Sequence, residues 1–322
     1  MPLTLDDLFA SPDHYLHSFD DDGAVFVPMD RAAYHRSIFL DGRISPSADG
    51  TMVMPVASLT QLRRPAAPTA WIFHMAHCGS TLLARALDDT DASLVLREPL
   101  ALRQTAIRPD ATRLALVLAM IGKRYRADAP TLVKANVPVN FLLPQLAAAD
   151  AAARAILLYL PLRAYLLAIL RSDNHRTWLR NVTGQLSSHL GDLSALDDAE
   201  RAATLWLAQV QAFERALAAM PHARALDAEM FFADPFAVLT VAARHLDLPL
   251  SATTLEAAVG GPLFATYSKN PSLPFDNAAR IARRAEVERT IAPELDIAEA
   301  WIARHAEQVA PDAALVAAAL TR

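Results

Sequence analysis

The chain has 322 residues, 53% of them apolar, enough to bury a substantial core in one large domain or two modest ones. A formal net charge of -5 gives no global basic field, so binding to nucleic acid or to an anionic membrane is not expected and any anion site must be local. The single cysteine, Cys78, excludes an internal disulfide and a multi-cysteine metal site, and fits a reducing cytoplasm.

The start, MPLTLDDLFASPDH, has an early acidic pair and no basic region followed by an apolar run, so no secretory signal is expected and the protein is expected to be cytoplasmic. Residues 1–66 read as an amino-terminal extension of unknown role. They hold a short helix near Leu5 to Phe9, a strand at Ala24 to Pro28, and polar, proline-containing connections from Ser45 to Pro68. Residues 67–322 read as one α/β domain, because from Ala70 short apolar strands alternate with helical segments, the pattern of a parallel sheet flanked by helices. Strands are expected at Ala70 to His74, Ser93 to Arg97, Thr131 to Lys134, Ala155 to Leu160 and about Ala223 to Leu226, with helices beginning near Ser80, Asp110, Asn140 and Leu162. The most apolar stretch, Ala155 to Leu170, contains Pro161 and Arg163 and is too short for a clean membrane span. Beyond Leu162 the chain turns mainly helical, with amphipathic segments at about Asp198 to Ala219 and Pro235 to Leu246. Gly260 to Asp276 interrupts this with glycines and prolines and reads as an ordered loop or lid.

The segment WIFHMAHCGSTLLARALD, Trp71 to Asp88, runs from an apolar strand through a small-residue turn into a helix. That geometry binds anions: the first helical N–H groups lack intrahelical acceptors, and the helix dipole puts about half a positive charge there. Gly79 lets backbone approach a phosphate, and the hydroxyls of Ser80 and Thr81 can donate to its oxygens. A nucleotide kinase loop would carry Gly-Lys-Ser or Gly-Lys-Thr, and that lysine is absent.

AHCGSTLLARAL, Ala76 to Leu87, resembles the 5'-phosphosulfate loop of sulfotransferases, commonly Pro-Lys/Arg-Ser-Gly-Thr-Thr. Gly79 and Thr81 match directly and Ser80 is a conservative change, whereas Ala76 replaces proline, Cys78 replaces serine and His77 stands where Lys or Arg is usual. The resemblance implies a P-loop-containing, three-layer nucleotide-binding fold and transfer of a sulfuryl group from PAPS (3'-phosphoadenosine 5'-phosphosulfate) to an acceptor hydroxyl or amine, with no metal required. His77, Cys78, Gly79, Ser80, Thr81 and Leu82 would hold the donor's 5' end, His77 acting either protonated or as a neutral donor.

Glu98, at the carboxyl end of the next strand, lies where the tyrosylprotein and some bacterial sulfotransferases carry a catalytic glutamate; the alternative is a salt bridge to Arg97 or Arg103. Lys134 ends another strand and would stabilise charge around the moving sulfuryl group. By the same resemblance Arg163, or Ser268 and Lys269 in the expected lid, would reach the 3'-phosphate, against plainer readings as a helix-start arginine and a solvated loop. Two alternatives remain open: a diverged phosphotransferase using ATP or GTP, and a non-catalytic nucleotide- or peptide-binding protein of this fold. The acceptor and the oligomeric state are not legible.

Overall fold

A computed structural model describes residues 4–61, 65–307 and 310–320. Residues 1–3 of the start read as signal-free, and residues 62–64 of the expected connection, lie outside the described residues. An antiparallel amino-terminal sheet holds β1 (His14–Asp20), β2 (Gly23–Pro28) and β3 (Met52–Pro55). The central sheet comprises β4 (Thr69–His74), β5 (Val95–Arg97), β6 (Thr131–Lys134), β7 (Ala155–Tyr159) and β8 (Ala223–Asp227). It is ordered β5-β6-β4-β7-β8, with every neighbouring pair parallel. A small hairpin, β9 (Thr266–Tyr267) and β10 (Asn270–Pro274), lies outside both.

The apolar runs of β4 and β7 are buried almost throughout, as a parallel sheet covered by helices on its faces requires. From β4 the chain goes out to the edge strand β5, returns through β6 to lie beside β4, and then crosses to β7. The strand order therefore reverses at β4, which opens a crevice beyond its carboxyl end. The long helix Asp198–Ala219 starts at a capping box between Asp197 and Glu200, buries Trp206 and Phe213, and packs on Leu143–Ala149, Leu162–Ile169, Asp173–Gln185 and Ala292–His305. Among the described residues no helix is long and apolar enough to cross a membrane.

All five expected strands of this sheet and the two long helices are present, with the strand expected from Ser93 shortened to Val95–Arg97. β1 escapes the sequence reading because a register shift between Leu16 and Ser18 breaks its alternation of buried and exposed positions. Helix Leu100–Ile107 also goes unforeseen, as it starts directly after Pro99.

The amino-terminal sheet contributes Tyr15 and Phe26, and the helix Leu5–Ala10 before it Leu8, to the same hydrophobic cluster as β4 and β7. Arg97, fully buried at the end of β5, donates to the carbonyls of Tyr34 (2.6 Å), His35 (3.0 Å) and Ser37 (2.6 Å) and pairs with Asp88, which also binds Arg31 at 2.6 Å. Backbone bonds Leu40 N–H to Arg97 O (2.7 Å) and Leu100 N–H to Leu40 O (3.2 Å) then hold residues 39–43 beside the carboxyl end of β5.

Candidate active site

The turn after β4 runs from Met75 to Gly79, where the helix Ser80–Ala86 begins. Two of its residues are left-handed, His77 at φ 61° and Gly79 at φ 82°. Only glycine suits the second position, because a Cβ there would stand 2.7 Å from the Phe232 ring as well as in a disfavoured conformation. The Cys78 thiol donates to Met75 O at 3.0 Å, and burial pushes its pKa up to about 11, so it braces the turn as a neutral group. Thr81 is 1% exposed, yet its hydroxyl has no partner among the described residues.

The His77 ring stacks on His175 at 3.9 Å. Burial, followed by the charges of Lys269 and Arg171 and the neighbouring His175, holds its pKa well below the usual histidine value. The ring is therefore neutral, and its Nε2 is buried without a partner. Of the two roles expected for His77, the protonated one does not fit these surroundings, because each nearby cation opposes a further positive charge.

A cavity of about 150 Å³ opens over His77, Cys78, Gly79, Ser80, Thr81 and Leu82. Its far wall is the β9–β10 turn, with Ser268 and Lys269 at the tip, held down by the Arg85 guanidinium donating to Ser268 O at 2.8 Å. Phe232, Phe275, Arg171 and Arg280 also line it. Arg280 lies 4.2 Å over the Phe232 ring and makes a bidentate pair with Glu229 at 2.9 and 2.8 Å. Neither Lys269 nor Arg171 has a carboxylate within ion-pair distance among the described residues. Lys269 is exposed as a residue, but protein crowded around its ammonium and the charge of Lys134 lower its pKa, with Glu98 opposing. Arg163 is not brought to this site: it sits at the surface, bound to Glu288 and Glu299 at 2.7 Å each. Arg283 and Arg284 instead line an adjoining space next to Arg171 and Arg280.

A second cavity, of about 290 Å³, contains Glu98 and shares His77 and Lys269 with the first. Glu98 directly follows β5, is left-handed at φ 56°, and donates its N–H to Lys134 O at 2.7 Å. The fully buried Lys134 ammonium donates to the Glu98 carboxylate. Burial alone would raise the pKa of Glu98, but the Lys134 ammonium outweighs it and the pKa falls to about 2, so the carboxylate is ionised. The alternative partners are engaged elsewhere: Arg97 pairs with Asp88, and Arg103 donates to Gln185 Oε1 at 2.8 Å. Left-handed backbone at both His77 and Glu98 places unfavourable conformations on either side of one crevice, as is common at functional sites.

His74, at the end of β4, has its Nδ1 2.7 Å from Met75 O. A carbonyl can only accept, so Nδ1 carries the hydrogen, and burial together with Lys134 lowers the ring's pKa to about 3. Nε2 is therefore a bare acceptor, buried without a partner and 4.0 Å from the Glu98 carboxylate. His74, Arg171, Arg280 and the residues Phe39, Asp41 and Arg43 all escape the sequence reading. The basic run Arg280 to Arg284 was the one local signal for any of them.

No protein-family model matches the chain, and no curated protein sequence matches it. Among solved structures, a sulfotransferase from Alicyclobacillus acidocaldarius aligns over 74% of this chain and 96% of that chain, with 14% identity and a TM-score of 0.40. At that identity and score the likeness says nothing about residues or chemistry.

Proposed function

We propose that the protein is a sulfotransferase that uses PAPS, with the donor's 5' end in the cavity over Gly79 and the acceptor in the cavity of Glu98. The observation that carries this reading is Lys269: it lines both cavities, so a group moving from one to the other stays beside one cation. The donor fits the residues present. The Thr81 hydroxyl lacks a partner, and Lys269 and Arg171 are cations without carboxylates, supplying the charge that the missing loop lysine would have supplied. Arg171 and Arg283, in place of Arg163, line an adjoining space that could hold a further phosphate.

PAPS supplies a sulfuryl group, whose bond to the bridging phosphate oxygen breaks as the acceptor's oxygen or nitrogen bonds to sulfur. Glu98 orients the acceptor and takes its proton; as a weak base it does so late, once the acceptor has become acidic through bonding. Lys134 keeps Glu98 ionised and fixed, and Lys269 offsets the charge growing on the leaving oxygen.

Thermal-shift titration with adenosine 3',5'-bisphosphate (PAP), ATP and GTP, with and without magnesium, tests this. PAP should raise the Tm without magnesium, by the equivalent of about 2.7 kcal/mol at a hundred times its Kd. Stabilisation by ATP or GTP only with magnesium, and none by PAP, would favour a phosphotransferase instead.

A further inference from the structure

Resting on that reading, we propose that the acceptor is a compact, sugar-like ring carrying several hydroxyl or amino groups, which donates hydrogen bonds to His74 Nε2 and to the Asn136 amide while the group to be sulfated faces Glu98. The second cavity presents an unusual set of polar atoms. His74 is 5% exposed and Asn136 6% exposed, both line the cavity, and each has a buried side-chain atom without a partner. The polarity of one is fixed: with Nδ1–H committed to Met75 O, Nε2 can only accept. The buried atom of Asn136 is its Oδ1, likewise an acceptor. Beside them, the Glu98 carboxylate keeps acceptor capacity after binding Lys134.

A ligand with a single hydroxyl has one proton to give. Donating it to Glu98 would leave His74 Nε2 and Asn136 dry and unpaired, and each such group weakens binding by about tenfold. The 4.0 Å between His74 Nε2 and the Glu98 carboxylate suits two donors on neighbouring carbons, or one amino group reaching both. Phe39, Pro138 and Trp178 give the same cavity apolar walls, which match the C–H face of a ring whose rim is polar. Lipid and simple phenol acceptors leave the polar set unmet.

The test uses the whole chain saturated with PAP and compares methyl β-glucoside and glucosamine with 4-nitrophenol. Binding is followed by calorimetry and by the imidazole nitrogen resonances of His74, and transfer by label from PAPS. Either sugar should bind at least about tenfold more tightly than the phenol and shift the His74 signal. The preference should fall about tenfold in His74→Ala and in Asn136→Ala and return in part in His74→Gln, which keeps an acceptor oxygen. Whether the label transferred to glucosamine sits on nitrogen or on oxygen separates amine from hydroxyl acceptors. Should His74→Ala not fold, Asn136→Ala and the wild-type comparison decide alone. Equal or tighter binding of the phenol, no sugar binding at all, or a preference that survives both alanine variants overturns the acceptor class while PAP binding leaves the donor reading intact. Absence of PAP binding in the wild type overturns both.

Discussion

The Thr81 hydroxyl is buried and unpartnered, so the folded protein alone gains nothing from it. Thr81→Val keeps the shape and removes only that group. The expected result is an unchanged or slightly raised Tm with PAP affinity lowered by about tenfold, the worth of one hydrogen bond to a charged ligand. Calorimetric titration and a melting curve on the same sample check both halves; an unchanged Kd would remove Thr81 from the cradle. Gly79, Ser80, Thr81, Glu98 and Lys134 could be named from sequence because each follows or ends a short apolar strand, a local pattern. The charge state of His77 could not, since it depends on His175, Arg171 and Lys269, which reach it only through tertiary packing. The tautomer of His74 was not legible either, because the Met75 carbonyl fixes it and strand periodicity does not encode that contact.

The hairpin of Thr266–Tyr267 and Asn270–Pro274 was legible as an ordered excursion over the site but not as strands, because Pro271 and Pro274 are poor strand residues and the register between the two strands is irregular. It has few means of attachment. Arg85 binds Ser268 O at 2.8 Å, the Arg283 guanidinium reaches the Tyr267 hydroxyl at 3.3 Å, and the Tyr267 ring meets Phe275 edge to face at 5.5 Å. Exposed strands held this way open locally at low free-energy cost. Arg85→Ala should therefore leave global stability within about 1 kcal/mol, since it removes one partly exposed bond, yet release the turn that carries Lys269. Limited proteolysis near Leu273, 49% exposed, should speed up in the variant, and PAP should restore protection in the wild type more than in the variant. Equal cleavage rates with and without Arg85 would show that the hairpin is fixed by other contacts.

A buried charge network ties the amino-terminal region to the end of β5 and contributes to the response of the whole chain to acid. Asp88 sits between Arg97, Arg31 and His35. Burial alone would raise its pKa, but a hydrogen bond from His35 and the charges of Arg97 and Arg31 bring it down to about 2 from 3.8. A carboxyl with a depressed folded-state pKa adds stability that is complete above its unfolded value and is lost as pH falls through the folded one. Asp88 thus contributes about 2 kcal/mol near neutrality, disappearing between about pH 4 and about pH 2. Asp88→Asn deletes that term and leaves the fully buried Arg97 without its counter-charge, at a cost of about 3 to 5 kcal/mol. Because Arg97 also ties down the carbonyls of Tyr34, His35 and Ser37, the loss should loosen the segment that brings Phe39, Asp41 and Arg43 to the acceptor cavity. Urea unfolding at a series of pH values should show the variant less stable at neutrality, with a shallower decline than the wild type over that acid window. Parallel declines in the two proteins would mean that Asp88 is not the group that titrates.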